Sequence, residues 1–276
     1  METHPYRTTL TDAEWEVIRP LFPPPPATGR PRQHRWRTLL DAIFSAIRAG
    51  GAWRLLPQEW PPWKTVYHSF RRWRLDGTWE RIHSALREAL RGQVGRDPQP
   101  SAGIIDSQSA KTSEQGGPHS FDGGKQINGR KRHLVVDTQG VLLKVVVHPA
   151  GRHDRVGAKL VLQALHHHFP RLRHLWADQG YAGVLRDGTR EQTGRELEVV
   201  YPWWRQLKRY FPDRLQEAGF QPGFHVLPRR WVVERTFAWL GRSRRLSKDY
   251  ERVCETTEAL ISIAMARLML RRLAGP

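Results

Sequence analysis

The chain is poor in the features that would assign it to several common classes of protein. It has a single cysteine among 276 residues, Cys254, which excludes an intramolecular disulfide and a cysteine-rich zinc cluster and fits a reducing compartment. It lacks a long apolar run. The best candidate, Ala259 to Leu270, contains Arg267 and falls short of the roughly 18 residues that a membrane helix needs. The opening METHPYRTT has no apolar signal core. These absences lead us to expect a cytoplasmic protein with no membrane partner. Acidic residues are also scarce, 27 Asp and Glu against 45 Lys and Arg, a formal net charge of +18. Such an excess suits a polyanion, either nucleic acid or an anionic membrane surface, and composition alone leaves both open. Twelve tryptophans, many beside arginine, suit base or phosphate contacts as well as a core.

Two proline-rich breaks organise the chain. Leu10 to Leu21 reads as a short helix capped by Thr11, followed by the spacer Pro23 to Pro26 and by Gly29-Arg30-Pro31-Arg32. A second helix is expected from about Arg35 to Arg48, stopped by Gly50-Gly51. A third, set off by Pro61-Pro62, runs from Trp63 to Leu75 with Trp63, Val66, Phe70 and Trp73 on one face and Lys64, His68 and Arg71 on the other. Helix, turn and helix with a basic outer face is a pattern of DNA readers, although a solvated basic face gives the same pattern. A fourth helix, Thr78 to Arg91, leads to a Gly- and Pro-rich stretch from Gly92 to Pro100. We place a domain boundary there, with a helical DNA-binding unit over 1–98 and a second unit over 99–276.

The periodicity changes after Ser101. Ala102 to Asp106 is a short strand, and His133 to Asp137 and Val141 to His148 form a hairpin around Asp137-Thr138-Gln139-Gly140. A helix from Arg155 to His168 follows, with Asp154 as its cap, then a strand at Leu175-Trp176-Ala177 and a fifth strand at Leu197 to Tyr201. A long basic helix is expected from Trp231 to Lys248, and a last one from Thr257 to Leu273, packed or dimer-forming. This order predicts an α/β domain of RNase H-like type, a mixed five-stranded sheet flanked by helices.

Phosphodiester cleavage without a covalent intermediate is commonly driven by two divalent ions held by carboxylates. Asp106 ends the run Gly103-Ile104-Ile105, and Asp178 ends Leu175-Trp176-Ala177. A strand-terminal Asp is more often a turn former or a cap, as Asp137 and Asp154 are read here. Glu234 stands among cations, and at helical spacing Arg230, Glu234, Gly241, Arg245 and Lys248 project within roughly 40° of one another. Arg130, Lys131 and Arg132, in Gly129 to His133, read as a clamp on a DNA backbone. His166 to His168 lie at a helix end and point in different directions, which suits charge at a C-terminus better than a shared ion.

Four segments in this order, Asp106-Ser107-Gln108-Ser109-Ala110-Lys111, Gly129-Arg130-Lys131-Arg132-His133, Trp176-Ala177-Asp178-Gln179-Gly180-Tyr181 and Trp231-Val232-Val233-Glu234-Arg235-Thr236-Phe237-Ala238-Trp239-Leu240, resemble the DDE transposases of bacterial insertion sequences, in particular the IS-five-like group. Gly29-Arg30-Pro31-Arg32 and Pro61-Pro62-Trp63-Lys64-Thr65-Val66-Tyr67 resemble the helical domain that precedes the catalytic one in that group. The resemblance implies an RNase H-like fold in which Asp106, Asp178 and Glu234 hold two Mg²⁺ ions, with Mn²⁺ as a substitute. It implies strand cleavage at the terminal inverted repeats of an element, strand transfer to target DNA, and a homodimer in the active complex. Arg30, Arg32, Lys64, His68, Arg71, Arg130, Lys131, Arg132, Arg230, Arg245 and Lys248 are the expected DNA contacts. The competing expectation is a transposase-derived protein that binds DNA without cutting it. Two positions depart from the Tyr-Arg-Glu-Lys signature of related transposases: Leu227 stands at the Tyr position and Gly241 at the Lys position, and Arg245 or Lys248 is the expected replacement cation.

Overall fold

The computed structural model describes residues 6, 8–23, 32–165, 168–182, 194–201 and 229–275. Its helical N-terminal region follows the apolar periodicity closely. α1 (Asp12–Ile18) opens on a reciprocal cap in which the Glu14 amide donates to Thr11 Oγ1 and the Thr11 amide donates to the Glu14 carboxylate. α2 (Trp36–Ala49) ends where Gly50 turns through a φ of 79°, and α3 (Trp63–Leu75) and α4 (Thr78–Gln93) follow. On α3, Val66, Phe70 and Trp73 are buried, while Lys64, His68 and Arg71 face outward. Trp53, Trp60, Trp73 and Trp79 are buried, and Trp73 and Trp79 meet edge to face at 5.2 Å. These indoles are core anchors.

Among the described residues the sheet has six strands where the sequence predicts five. They are β1 (Ala102–Lys111), β2 (Ser120–Asp122), β3 (Ile127–Asp137), β4 (Leu142–Pro149), β5 (His174–Ala177) and β6 (Glu196–Val199). β3 pairs antiparallel with β1 on one edge and with β4 and the three-residue β2 on the other, whereas β1, β5 and β6 run parallel. The resulting order, β4-β3-β1-β5-β6 with one antiparallel member inside it, is that of an RNase H-like sheet. β1 runs five residues beyond the predicted end at Asp106 because β3 pairs with it as far as Lys111. The β3–β4 turn closes at Gly140, which has a φ of 83° and no room for a Cβ beside Thr236 Oγ1.

Side-chain alternation divides the core in two. Ile104, Leu134 and Val136 face the N-terminal helices, α6 (Arg230–Gly241) and α7 (Cys254–Leu273), while Ile105, Val135 and Leu175 face α5 (Asp154–Leu165). The first cluster spans the change from helices to strands near residue 98: Leu86 and Leu90 of α4 share it with Val145 and Val147 of β4 and with Ile261 and Met265 of α7. The C-terminal helix therefore buries its apolar face within the chain.

Three expectations are corrected. The predicted long helix ends at Gly241, and the chain turns through Ser243 into a 3-10 turn at Arg244–Leu246. Arg245 therefore leaves the Glu234 face and is buried, paired with Glu251 at 2.7 Å, donating to the Gly51 carbonyl and stacked on Trp53. The basic run at Arg130 to Arg132 lies inside β3, buried on both faces. Arg130 pairs with Asp249 at 3.0 Å and Arg132 donates to the carbonyls of Leu246 and Lys248, while Lys131, on the opposite face, pairs with Asp122 and Asp154. These groups cross-link the fold, and none is free to clamp DNA. Arg30 and His166–His167 fall outside the described residues.

Glu258 of α7 gives a test of this packing. Burial, with Glu255 adding to it, raises its carboxyl to about 7 against the pull of the Val147 amide, which donates to it at 2.8 Å. The folded state thus keeps a proton that the unfolded state releases near 4.5, and this contribution to stability is lost as pH rises through about 7. Glu258→Gln is expected to raise stability at pH 8 by on the order of 2 kcal/mol and to leave it nearly unchanged at pH 4. Thermal denaturation of both proteins across that range measures the difference.

Candidate active site

The site lies where two parallel strands part. β1 pairs with β5 only over Ala102–Ile104 against His174–Trp176, and continuing that register by two residues sets Asp106 level with Asp178. Both share the strand parity of Ile104 and Trp176, so both face α6. Each aspartate is anchored by one oxygen and leaves the other free. Asp106 Oδ1 accepts the Ser107 amide at 2.7 Å and Asp178 Oδ1 accepts the Gly180 amide at 2.8 Å.

α6 brings the third carboxylate. Its buried Val232, Val233 and Leu240 seat it on the sheet, while Thr236 Oγ1 and Arg235 Nη2 donate to the carbonyls of Gly140 and Gln139 in the hairpin turn. Arg229, at the left-handed φ of 68°, starts the helix with its guanidinium over the Trp176 ring at 5.2 Å. One turn of helix then separates Arg230 from Glu234, and Arg230 Nη2 lies 3.9 Å from Asp106 Oδ2, 3.9 Å from Asp178 Oδ2 and 3.5 Å from Glu234 Oε1. The predicted acids are brought together around one cation. Their side chains are 15%, 32% and 45% exposed, so the cluster opens to solvent on the Glu234 side. Burial, with Asp178 adding to it, raises the Asp106 carboxyl to about 6 despite Ser107 and Arg230.

As placed, no three His, Cys, Asp or Glu groups among the described residues stand close enough to hold a metal ion. The donor set nonetheless suits a hard divalent cation, because it consists of carboxylate oxygens, and a guanidinium nitrogen stands in for the ion at their focus. Of the other predicted cations, Lys248 is exposed beyond α6, and Arg32 lies on the Trp36 ring at 3.3 Å. Sequence reasoning missed the groups beneath Asp106: Ser107, whose hydroxyl donates to Asp154 at 3.0 Å, and Lys125, whose Nζ donates to the Ser107 carbonyl at 3.1 Å. The signal for Ser107 was strand alternation, which sends it to the face opposite Asp106.

Three family models match the chain. One, described as "Putative transposase of IS4/5 family", covers residues 10–83, and two described as "Transposase DDE domain" cover 97–210 and 203–271. The chain belongs to the DDE transposases of insertion sequences. Within that class it falls in the IS4/5 group, and two of its relatives come from the element IS402 of Burkholderia cepacia. It is 29% identical over 154 residues to a "Putative transposase for insertion sequence element IS402", covering 53% of this chain and 64% of that protein. It is 32% identical over 88 residues to an uncharacterized 16.2 kDa protein of IS402, covering 30% of this chain and 60% of that protein. The chain thus spans less than two thirds of either relative. An uncharacterized protein of Sinorhizobium fredii is 27% identical over 117 residues, 34% of this chain and 94% of that protein. No helix among the described residues is long and apolar enough to cross a membrane.

Because Arg230 occupies the focus of the carboxylates, removing its charge is expected to open the cluster to metal. Arg230→Gln should bind Mn²⁺ at least about tenfold more tightly than the unaltered chain when no DNA is present. Titration calorimetry reads this directly, and equal or weaker binding would count against the guanidinium as a competitor.

Proposed function

We propose that the protein is a metal-dependent DNA transposase that binds the terminal inverted repeats of an insertion sequence, cuts a strand at each end and joins it to target DNA. The observation that carries this reading is the convergence of Asp106, Asp178 and Glu234 on one cation at an open edge of the sheet. Two Mg²⁺ ions, or Mn²⁺ in their place, held by these three residues would supply Lewis acidity to the phosphoryl oxygens and lower the pKa of water. In the first step a water oxygen bonds to phosphorus and the bond from phosphorus to the 3′ oxygen breaks, leaving a 3′ hydroxyl. In the second step that 3′ oxygen bonds to a target phosphorus and the target's 3′ oxygen departs, so one phosphodiester replaces another.

The chain's own groups orient these steps. The anchored oxygens of Asp106 and Asp178 hold their carboxylates toward α6. Arg230, once drawn from the carboxylates, reaches a phosphate, and Lys248 offers a second cation beyond the helix. Residues 1–98 act as the end-reading unit through Lys64, His68 and Arg71 on the outer face of α3, with Arg30 and Arg32 on the preceding segment, and residues 99–276 act as the catalytic unit. Two element ends must meet, so two copies of the chain work together, in the cytoplasm. Gly241 at the family's Lys position favours the competing reading, a chain that binds ends without cutting them.

Nicking of an end-containing duplex separates the two. With Mg²⁺ present, Asp106→Asn is expected to lose at least about a thousandfold in nicking rate while retaining DNA affinity; binding without nicking by the unaltered chain would establish the competing reading. Lys64→Ala with Arg71→Ala should lower the slope of log K against log salt by about 2, and unchanged footprints would remove α3 as the reader.

A further inference from the structure

Consecutive residues of β1 look to opposite faces of the sheet, so the residue after Asp106 is the one that can connect the carboxylate site to what lies beneath it. That residue is Ser107. Its amide holds Asp106 Oδ1 at 2.7 Å, its hydroxyl donates to Asp154 Oδ1 at 3.0 Å, and Lys125 Nζ reaches its carbonyl and hydroxyl at 3.1 and 3.4 Å. Asp154 stands in the first turn of α5 and is held from below by Lys131, 3.0 Å away and only 6% exposed at its side chain. Lys131 is fixed in turn by Asp122 at 3.3 Å and by the Arg152 carbonyl at 3.0 Å. The same Asp154 borders the second aspartate: a Cβ built on Gly180 would lie 3.0 Å from Asp178 Oδ1 and 3.4 Å from Asp154 Oδ2. Gly180 is also the residue whose amide anchors Asp178.

We propose that Ser107 and Asp154, braced by the buried Lys131, are positioning residues that hold Asp106 and Asp178 in register for metal binding. Ser107 and Asp154 act through the two aspartates they border. Its effect is to fix the peptide that orients Asp106 and the turn that orients Asp178. This explains why a lysine in a run that reads as a DNA clamp is turned inward between two aspartates. Beyond Ile104 β1 loses its β5 partner and is paired on the β3 side alone, so Asp106 lies along a strand edge that is open toward β5.

The inference rests on the reading of Asp106 and Asp178 as metal-holding groups, and the experiment separates the two. Mn²⁺ is titrated into the full chain and free ion is followed by its electron paramagnetic resonance signal, alongside the thermal midpoint of each variant. Ser107→Ala, which changes no charge, and Asp154→Asn are expected to weaken Mn²⁺ binding by about 10- to 100-fold. Ser107→Thr, which keeps the hydroxyl, should restore affinity to within about threefold of the unaltered chain. Folded Ser107→Ala and Asp154→Asn proteins that bind Mn²⁺ as the unaltered chain does would overturn the proposal, even if their thermal midpoints fall. Asp106→Asn is the control: if it leaves the isotherm unchanged, the carboxylates are not the metal site and the inference falls with that reading.

Discussion

Three carboxylates cannot crowd together on a protein without a cation among them, and in this chain Arg230 supplies it. Its Nη2 stands within 3.9 Å of each of Asp106, Asp178 and Glu234, which arrive from β1, from the end of β5 and from α6. Mutual repulsion would otherwise push these groups apart or force protons onto them; the Asp106 carboxyl is raised chiefly by burial, with Asp178 adding to it. The elements around the sheet serve this geometry. The hairpin turn at Gly140 receives Thr236 and Arg235 and so fixes the rotation of α6 about its own axis. Arg229 over Trp176 fixes where that helix begins.

The large positive charge is spent in two different ways. Part of it lies inside, where guanidinium groups reach several carbonyls at once and tie distant segments together. Arg130 binds Asp249 and the carbonyls of Pro118, Glu251 and Arg252, and Arg91 of α4 binds Asp137 of the hairpin. Breaking one such pair would strand a buried charge, which costs far more than the pair itself contributes relative to an apolar substitute. Among the described residues another part lies outside, on α3 and beyond the end of α6, where it meets water. A count of Lys and Arg does not separate these two populations; burial does.

That distinction marks what the sequence could disclose. Helices with an apolar face, such as Trp63 to Leu75, were legible to the residue because period and caps agree. The apolar runs that lead into Asp106 and Asp178 were legible too, since each reads as a buried strand. The extent of β1 past Asp106 was not, because Ser107-Gln108-Ser109 has no apolar alternation and becomes strand only through pairing with β3. The burial of Arg130 and Arg132 was hidden for a similar reason: their partners, Asp249 and the carbonyls of residues 246–252, lie more than a hundred residues away. The end of α6 at Gly241 was masked by a face that keeps its cationic spacing on a helical wheel beyond the point where the backbone leaves the helix.

The two faces of β1 carry unlike duties, and this bears on how such a site can change. Toward α6, Asp106 shares its surroundings with Asp178 and Glu234, which come from two other elements, so the geometry of the cluster depends on how those elements dock. Toward α5, Ser107 joins a network of Asp154, Lys131 and Asp122 that is set by the local course of β2, β3 and α5. Strand alternation and the parting of β1 from β5 thus give Asp106 and Asp178 backbone anchors of their own, apart from the helix that carries Glu234.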